Sequence, residues 1–255
     1  MDIGNRKILC VIGNHNRNEN SLRWLELLRS QKYDAYIIDS GSDVKPKYKH
    51  HRRVIECPNI YWGGIYKETL ELMKKRNSEY VLHIDDDILI SDENFKRLTE
   101  RIRQVVDSGK IGIYQPTTKA DSHNVVKNNF NAGTNDIRLT DTIEEWMYLI
   151  KRDVILKTDS YGLDFETDVK HGWGFGYVMC KASSELGYAN VVDDYVTVEH
   201  PQGPATYNVG EAGNMMGVMY RKLKMSTRET LNYCHDKNGS FKIEQLLGKK
   251  QKTGG

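Results

Sequence analysis

The sequence has no apolar run that approaches the length of a membrane span. Its opening residues, Met1-Asp2-Ile3-Gly4-Asn5-Arg6-Lys7, lead directly into a strand and contain no secretory signal. Only four cysteines are present, Cys10, Cys57, Cys180 and Cys234, and they are scattered without metal-ligand spacing. Cys10 and Cys180 fall in apolar runs and read as ordinary core thiols. An excess of charge is also missing. The 37 basic residues against 35 acidic give +2, which makes no electrostatic case for nucleic acid. There is no internal repeat and no domain linker. These absences point to a globular protein in a reducing, cytoplasmic setting. With 255 residues, 38% hydrophobic and 28% charged, the chain is long enough for one large domain, or one domain with an appendage.

Hydrophobic patterning then sets the elements. Residues 7–13 read as a buried strand, followed by the polar loop Asn14-His15-Asn16-Arg17-Asn18 and a helix behind Ser21 built on Leu22, Leu25, Leu27 and Leu28. Strands follow at 33–38 and 53–57, an amphipathic helix at 68–75, and a fourth strand at 80–84. This succession predicts an α/β nucleotide-binding half. A helix over 93–106 and a strand at 111–114 come next. The Asn-rich stretch 117–141 has little periodicity and reads as an irregular loop over the site. Residues 145–156 fit a strand or a helix. The segment Gly172-Trp173-Gly174-Phe175-Gly176 opens a helix that runs to about Leu186, and 191–198 is a late strand. After Pro201, Gly203, Gly210, Gly213 and Gly217 suggest a flexible flap before a last helix, and Lys249-Lys250-Gln251-Lys252 a frayed end.

The most informative junction lies where the apolar run Tyr80-Val81-Leu82-His83-Ile84 meets Asp85, Asp86 and Asp87. Ligands of open α/β sheets bind beyond the carboxyl ends of the strands. Three adjacent carboxylates there raise one another's pKa unless a cation relieves them. In extended backbone Asp85 and Asp87 point the same way and can share a ligand, while Asp86 faces elsewhere. A hard divalent cation bridging to a diphosphate supplies the relief. The alternative is a solvated acidic turn that caps the helix near Ser91-Asp92-Glu93.

Other strand ends add candidates. Asp39, before Ser40-Gly41-Ser42, can accept hydrogen bonds from a ribose or a base, or simply form an Asx-type turn. Asn14 and its loop lie at the same sheet edge and can touch a base or phosphate, or be plain solvated loop. Trp62-Gly63-Gly64 precedes a helix, where glycines let backbone approach a phosphate. The spacing fits neither common phosphate loop, and Trp62 packing on the core is the competing explanation. His200, closing the late strand before Pro201, can add a nitrogen ligand to a metal held by Asp87, or be a surface histidine.

Taken in order, Ile8 to Gly13, Asp39-Ser40-Gly41-Ser42, Asp85-Asp86-Asp87, Gly172-Trp173-Gly174 with its helix, and Val198-Glu199-His200 resemble the family 2-like glycosyltransferases of the GT-A fold, over about residues 7–208. The resemblance implies a GT-A-like single α/β domain with a mostly parallel central sheet flanked by helices. Residues 1–208 would bind nucleotide-sugar and acceptor, and residues 209–255 would form a C-terminal flap and helical tail. It implies Asp39 for the nucleoside and Asp85 and Asp87, a DxD-type pair, for the sugar-nucleotide and metal; Asn14 and Asp86 are added as substrate-binding candidates from their place at the same edge. Asp87 and His200 would hold Mn²⁺ or Mg²⁺. Trp62, Gly63, Trp173 and Gly174 join the substrate site, with Trp173 and Phe175 suited to stack on an acceptor sugar or to pack in the core. One departure stands out. Inverting members commonly carry a Glu-Asp pair where this chain has Phe175-Gly176, so the acceptor-deprotonating carboxylate is absent from its expected place. Asp168, Glu166 or Asp164 can supply one from upstream, with Asp168 the candidate catalytic residue; a retaining enzyme needs none there.

The expected function is a metal-dependent hexosyl- or pentosyltransferase that moves a sugar from a UDP-sugar or related donor to a hydroxyl acceptor, a glycan or a modified nucleobase. Two alternatives are a nucleotidyltransferase or sugar-nucleotide pyrophosphorylase, and an inactive sugar-nucleotide-binding domain. The first usually carries a glycine-rich basic loop after its first strand, which Asn14-His15-Asn16-Arg17 does not provide.

Overall fold

Alternate residues of one central strand divide between two hydrophobic cores, and this sets the layers. Strand β2 (Arg6–Asn14) places Ile8, Cys10 and Ile12 in one core and Leu9 and Val11 in the other. The computed structural model describes residues 2–3, 6–44, 51–119, 127–201 and 207–247. Among them β3 (Asp34–Ser40), β4 (Val54–Cys57), β5 (Tyr80–Asp85), β6 (Ile111–Thr118), β7 (Ile137–Leu139), β8 (Met147–Lys151) and β9 (Ala189–Val198) join β2 in the order β4-β3-β2-β5-β8-β6-β9-β7. The short β1 (Asp2–Ile3) pairs antiparallel with β2. Strands β4, β3, β2, β5, β6 and β9 share one direction; β8, between β5 and β6, and β7 at the edge run against them. The result is an α/β fold with a mostly parallel sheet covered by helices on both faces.

Helices α1 (Asn18–Ser30) and α3 (Asp92–Ser108) cover the first core through Trp24, Leu25, Leu28, Phe95, Leu98 and Ile102. Chain chemistry bounds α3 at both ends. Ser91 accepts from the Asn94 amide at its start, and Gly109 takes the left-handed conformation just beyond its end. Helices α2 (Tyr61–Arg76), α4 (Arg152–Asp159) and α5 (Phe175–Glu185) cover the opposite face, and α6 (Val209–Lys222) and α7 (Thr227–Asn238) pack outside through Met219, Tyr220 and Cys234. Among the described residues no helix is long and apolar enough to cross a membrane.

Four expectations change. The helix expected from residue 68 begins at Tyr61, so Gly63 and Gly64 lie in its first turns and not before it. A Cβ on Gly63 would sit 2.2 Å from the Phe165 carbonyl oxygen, so the glycine serves close packing of helix on backbone. Residues 145–156 form both a strand and a helix, β8 then α4. The described part of 117–141 is bonded to the sheet. Asn129 donates to Gln115 on β6, Arg138 pairs with Asp194 on β9, and β7 extends the sheet. Finally, Gly210, Gly213 and Gly217 lie within α6, so the expected flap is helical over 209–222. Gly203 and the residues 249–252 fall outside the described residues.

Candidate functional site

Strand order reverses beside β2: the chain steps from β2 to β3 and β4 on one side, then returns to place β5 on the other. Open α/β sheets bind ligands in the crevice that such a reversal leaves at the strands' carboxyl ends. The register brings the sequence candidates to this edge, with Gly13 opposite Asp85 and Asn14 opposite Asp39. Asn14 donates to Asp39 Oδ1 at 2.6 Å and accepts from the Ser21 hydroxyl at 2.7 Å. Ser42 also donates to Asp39 Oδ1, at 2.5 Å, closing the local turn that the sequence allowed as one reading. Asp39 is 3% exposed. The loops after β2 and β3 are further cross-linked by Asn16 and Asp43, which makes a rigid rim above the strand ends.

The three aspartates diverge, because β5 ends at Asp85 and the chain turns at once. Asp85 lies 2.9 Å from Nε2 of buried His83. Burial raises its pKa, against the opposing pull of His83. Asp86 accepts the His15 amide at 2.5 Å, and burial pushes it up to about 7. Asp87 has its Oδ2 3.4 Å from His200 Nε2 and 3.4 Å from the Arg17 guanidinium. Burial opposes its ionisation, but His200 and Arg17 hold its pKa below the usual carboxylate range. Local backbone explains the long-range pairing. Leu89 and Glu199 exchange two hydrogen bonds of 2.9 Å, which fixes the start of the 200s against the end of the aspartate turn. The Asn20 amide holds the carbonyls of Asp86 and Ile88 from the other side.

Asp87 Oδ1 is buried without a hydrogen-bond partner among the described residues. Asp86 and Asp87 line an open cleft of about 540 Å³, together with Asn16, Arg17, Asn20, Leu89 and Pro201. Among the described residues no group of three or more His, Cys, Asp or Glu converges as a metal cage. Asp87 and His200 instead present one oxygen and one imidazole nitrogen. That donor set suits a hard divalent ion only where substrate oxygens and water complete the coordination, as magnesium sites with few protein ligands do.

On the opposite face of the sheet, the glycine-flanked turn before α5 positions a second group. Gly174 has φ +74°, and a Cβ there would sit 2.5 Å from the Tyr220 hydroxyl, so this turn and the approach of α6 both require glycine. Trp173 is 36% exposed and donates its indole N–H to the Tyr207 hydroxyl at 2.7 Å. Phe175 is fully buried, so its ring belongs to the core. Trp62 stacks on Tyr66 and meets His83 and Phe175 edge-on, an interior packing role. The Gly63 amide is bonded to the Lys170 carbonyl at 2.9 Å, so it is not presented to a phosphate. Asp168 is likewise engaged: its Oδ2 takes the Lys222 ammonium at 2.5 Å and the Asp164 amide at 2.8 Å. Those bonds tie the acidic loop to α6 and leave Asp168 poorly placed to take a proton from a substrate.

Sequence reasoning passed over Glu145. This half-buried residue reaches across to α5, where its Oε1 accepts the Gly176 amide at 2.6 Å. A carboxylate therefore stands in space beside Phe175-Gly176, where the sequence itself has none. Its signal was the acidic pair Glu144-Glu145 immediately before an apolar strand. Because β8 is antiparallel to β5, the amino end of β8 lies at the carboxyl end of β5.

No protein-family model matches the sequence, and no curated protein matches it. Several solved structures align with most of this chain at low identity. The CMP:2-keto-3-deoxy-manno-octonic acid synthetase in complex with CTP has a TM-score of 0.43 and 9% identity, over 85% of this chain and 99% of that one. A glycosyltransferase involved in glycosylation of the major capsid of PBCV-1 has a TM-score of 0.43 and 10% identity, over 82% and 98%. A protein from STIV has a TM-score of 0.40 and 7% identity, over 79% and 97%.

Proposed function

We propose that this chain is a glycosyltransferase that uses a nucleoside diphosphate sugar, a UDP-sugar in the first instance, with a divalent cation and a hydroxyl acceptor. The observation that carries the reading is the surroundings of Asp87. One carboxylate oxygen is buried without a hydrogen-bond partner among the described residues, the other faces His200 and Arg17, and Asp87 and Arg17 line a cleft at the strand-order reversal. Asp87 and His200 would hold the cation, which when bound neutralises charge on the diphosphate as it leaves. Arg17 adds positive charge at the same wall, at the amino end of α1, where helix backbone favours anions. The rim formed by Asn14, Asp39 and Ser42 fixes the loops against which a nucleoside would rest.

Thermal-shift screening tests this directly. Nucleoside diphosphates and their sugars are added with and without Mn²⁺. A ligand at about 100 times its dissociation constant stabilises by about 2.7 kcal/mol. Stabilisation that requires both nucleotide and metal supports the reading. Stabilisation by a nucleoside triphosphate with pyrophosphate release turns it toward a nucleotidyltransferase. No response to any nucleotide removes it.

A further inference from the structure

Glu145 is held between the end of β5 and the start of α5 by three bonds. Its carbonyl accepts the Trp62 indole at 3.4 Å, its Oε1 accepts the Gly176 amide at 2.6 Å, and the next carbonyl, of Trp146, holds the Asp85 amide at 2.8 Å. The residue is half-buried, and its carboxylate takes the Gly176 amide on Oε1 and, within the residue, its own backbone amide. Such anchoring orients a carboxylate for a ligand. The two ends of the site also lie on opposite faces of the sheet. Arg17 and Asp87 border the cleft beside α1, on the side of the core that contains Trp24 and Trp146. Glu145 reaches toward Phe175 and Trp62, in the other core. Asp85 marks the strand end between them.

We infer that Glu145 is the catalytic residue that takes the acceptor's proton, an inference that rests on the transferase reading above. In this step the acceptor O–H proton passes to Glu145 Oε2, and the acceptor oxygen bonds to the anomeric carbon. The bond from that carbon to the diphosphate breaks, and its electron pair leaves with the diphosphate. Approach from the α5 side with departure on the α1 side is a single displacement and inverts the configuration. The exposed ring of Trp173 and the Tyr207 hydroxyl bonded to it give the acceptor an aromatic wall on the same side. Burial, then the neighbouring charge of Glu144, pushes the Glu145 carboxyl up to about 8, a basicity suited to a general base near neutral pH. The groups that face it are Glu144, Asp85 on β5, Tyr148 on β8, Tyr177 on α5, and Tyr207 and Tyr220 on the α6 side.

The test is Glu145→Gln, because the glutamine carbonyl still accepts the Gly176 amide and preserves any purely structural role. The probes are UDP-glucose, UDP-galactose, UDP-N-acetylglucosamine and GDP-mannose with Mn²⁺, water standing in for the acceptor. For any donor that the wild-type chain hydrolyses, the variant should be about 10²–10⁴-fold slower in kcat with KM within about twofold. The first-formed sugar should be inverted, and the wild-type rate should rise with pH toward about 8 on a limb that the variant loses. Hydrolysis by the variant at the wild-type rate, or a retained product, overturns the assignment. UDP and GDP binding, measured by calorimetry with Mn²⁺, separates the two claims. A wild-type chain that binds nucleotide but hydrolyses none of the four sugars overturns the role of Glu145 alone. A chain that binds neither nucleotide overturns the donor reading with it.

Discussion

Asp87 has its two carboxylate oxygens in different surroundings, and that asymmetry makes it the residue to change first. Oδ2 is matched by His200 and Arg17, whereas Oδ1 is buried without a hydrogen-bond partner among the described residues. In Asp87→Asn, the metal-dependent part of any UDP-induced thermal shift should disappear. Stability without ligand should fall by about 1 kcal/mol, because the native pairs favour the charged form. Differential scanning fluorimetry with UDP, with and without MnCl₂, measures both. An undiminished metal-dependent shift removes Asp87 from the metal site. Asp168 calls for the opposite expectation. Its bonds to Lys222 and the Asp164 amide are internal, so Asp168→Asn should cost roughly 0.5–1.5 kcal/mol in urea denaturation. Donor hydrolysis should stay within about twofold of wild type. The residues legible in the sequence were those at the ends of parallel strands, Asp39, Asp85 to Asp87 and His200, because strand polarity alone places them at one edge. Glu145 was not legible, since its position depends on β8 running backwards, and a five-residue apolar strand gives no sign of its direction.

Elements show the same division between local and tertiary causes. Strands β2, β3, β4 and β5 and helices α1 and α3 were legible within a few residues, because continuous apolar runs and helical spacing record burial directly. Helix α2 was cut short in the sequence reading because Gly63 and Gly64 look like loop residues. Their cause is tertiary: the 165–169 backbone passes against the first turn of α2. Gly63→Ala should therefore destabilise by roughly 1–3 kcal/mol, although alanine is the better helix former. Equilibrium urea unfolding decides, and an unchanged or raised midpoint means that the loop can yield. Strand β7 was hidden for a similar reason. Its three residues join the sheet through β9, and the Arg138–Asp194 pair supports them with a contact 56 positions apart in the chain.

The molecule as a whole is also fastened away from its site. Asp34, at the start of β3, takes both Arg53, before β4, and Arg76, at the end of α2, and both guanidiniums also lie over the Tyr36 ring. Burial alone would raise the Asp34 pKa, but hydrogen bonds from Arg76 and Arg53 overcome it and hold the group below its ordinary 3.8. A depressed folded pKa contributes stability above the unfolded value and loses it as pH falls through the folded one. Asp34→Asn should thus cost about 1 kcal/mol at pH 7, with the difference from wild type closing below pH ~3.8. Denaturant midpoints of both proteins at pH 7, 4 and 3 measure it; a constant difference across that range means that the pair does not titrate with folding.

The insertion of β8 between β5 and β6 has a consequence for synthesis. A growing chain that has reached Thr118 already holds β5 and β6, yet in the finished sheet the two are not paired. Until residues 147–151 leave the ribosome, each must keep a bare hydrogen-bonding edge toward the place the other will not occupy. Direct pairing of β5 with β6 at that stage would shut out the strand that delivers Glu145. The last piece of the sheet's centre to arrive is thus the strand that follows Glu145, and a pause in translation before it would favour a compact mispairing over the native order.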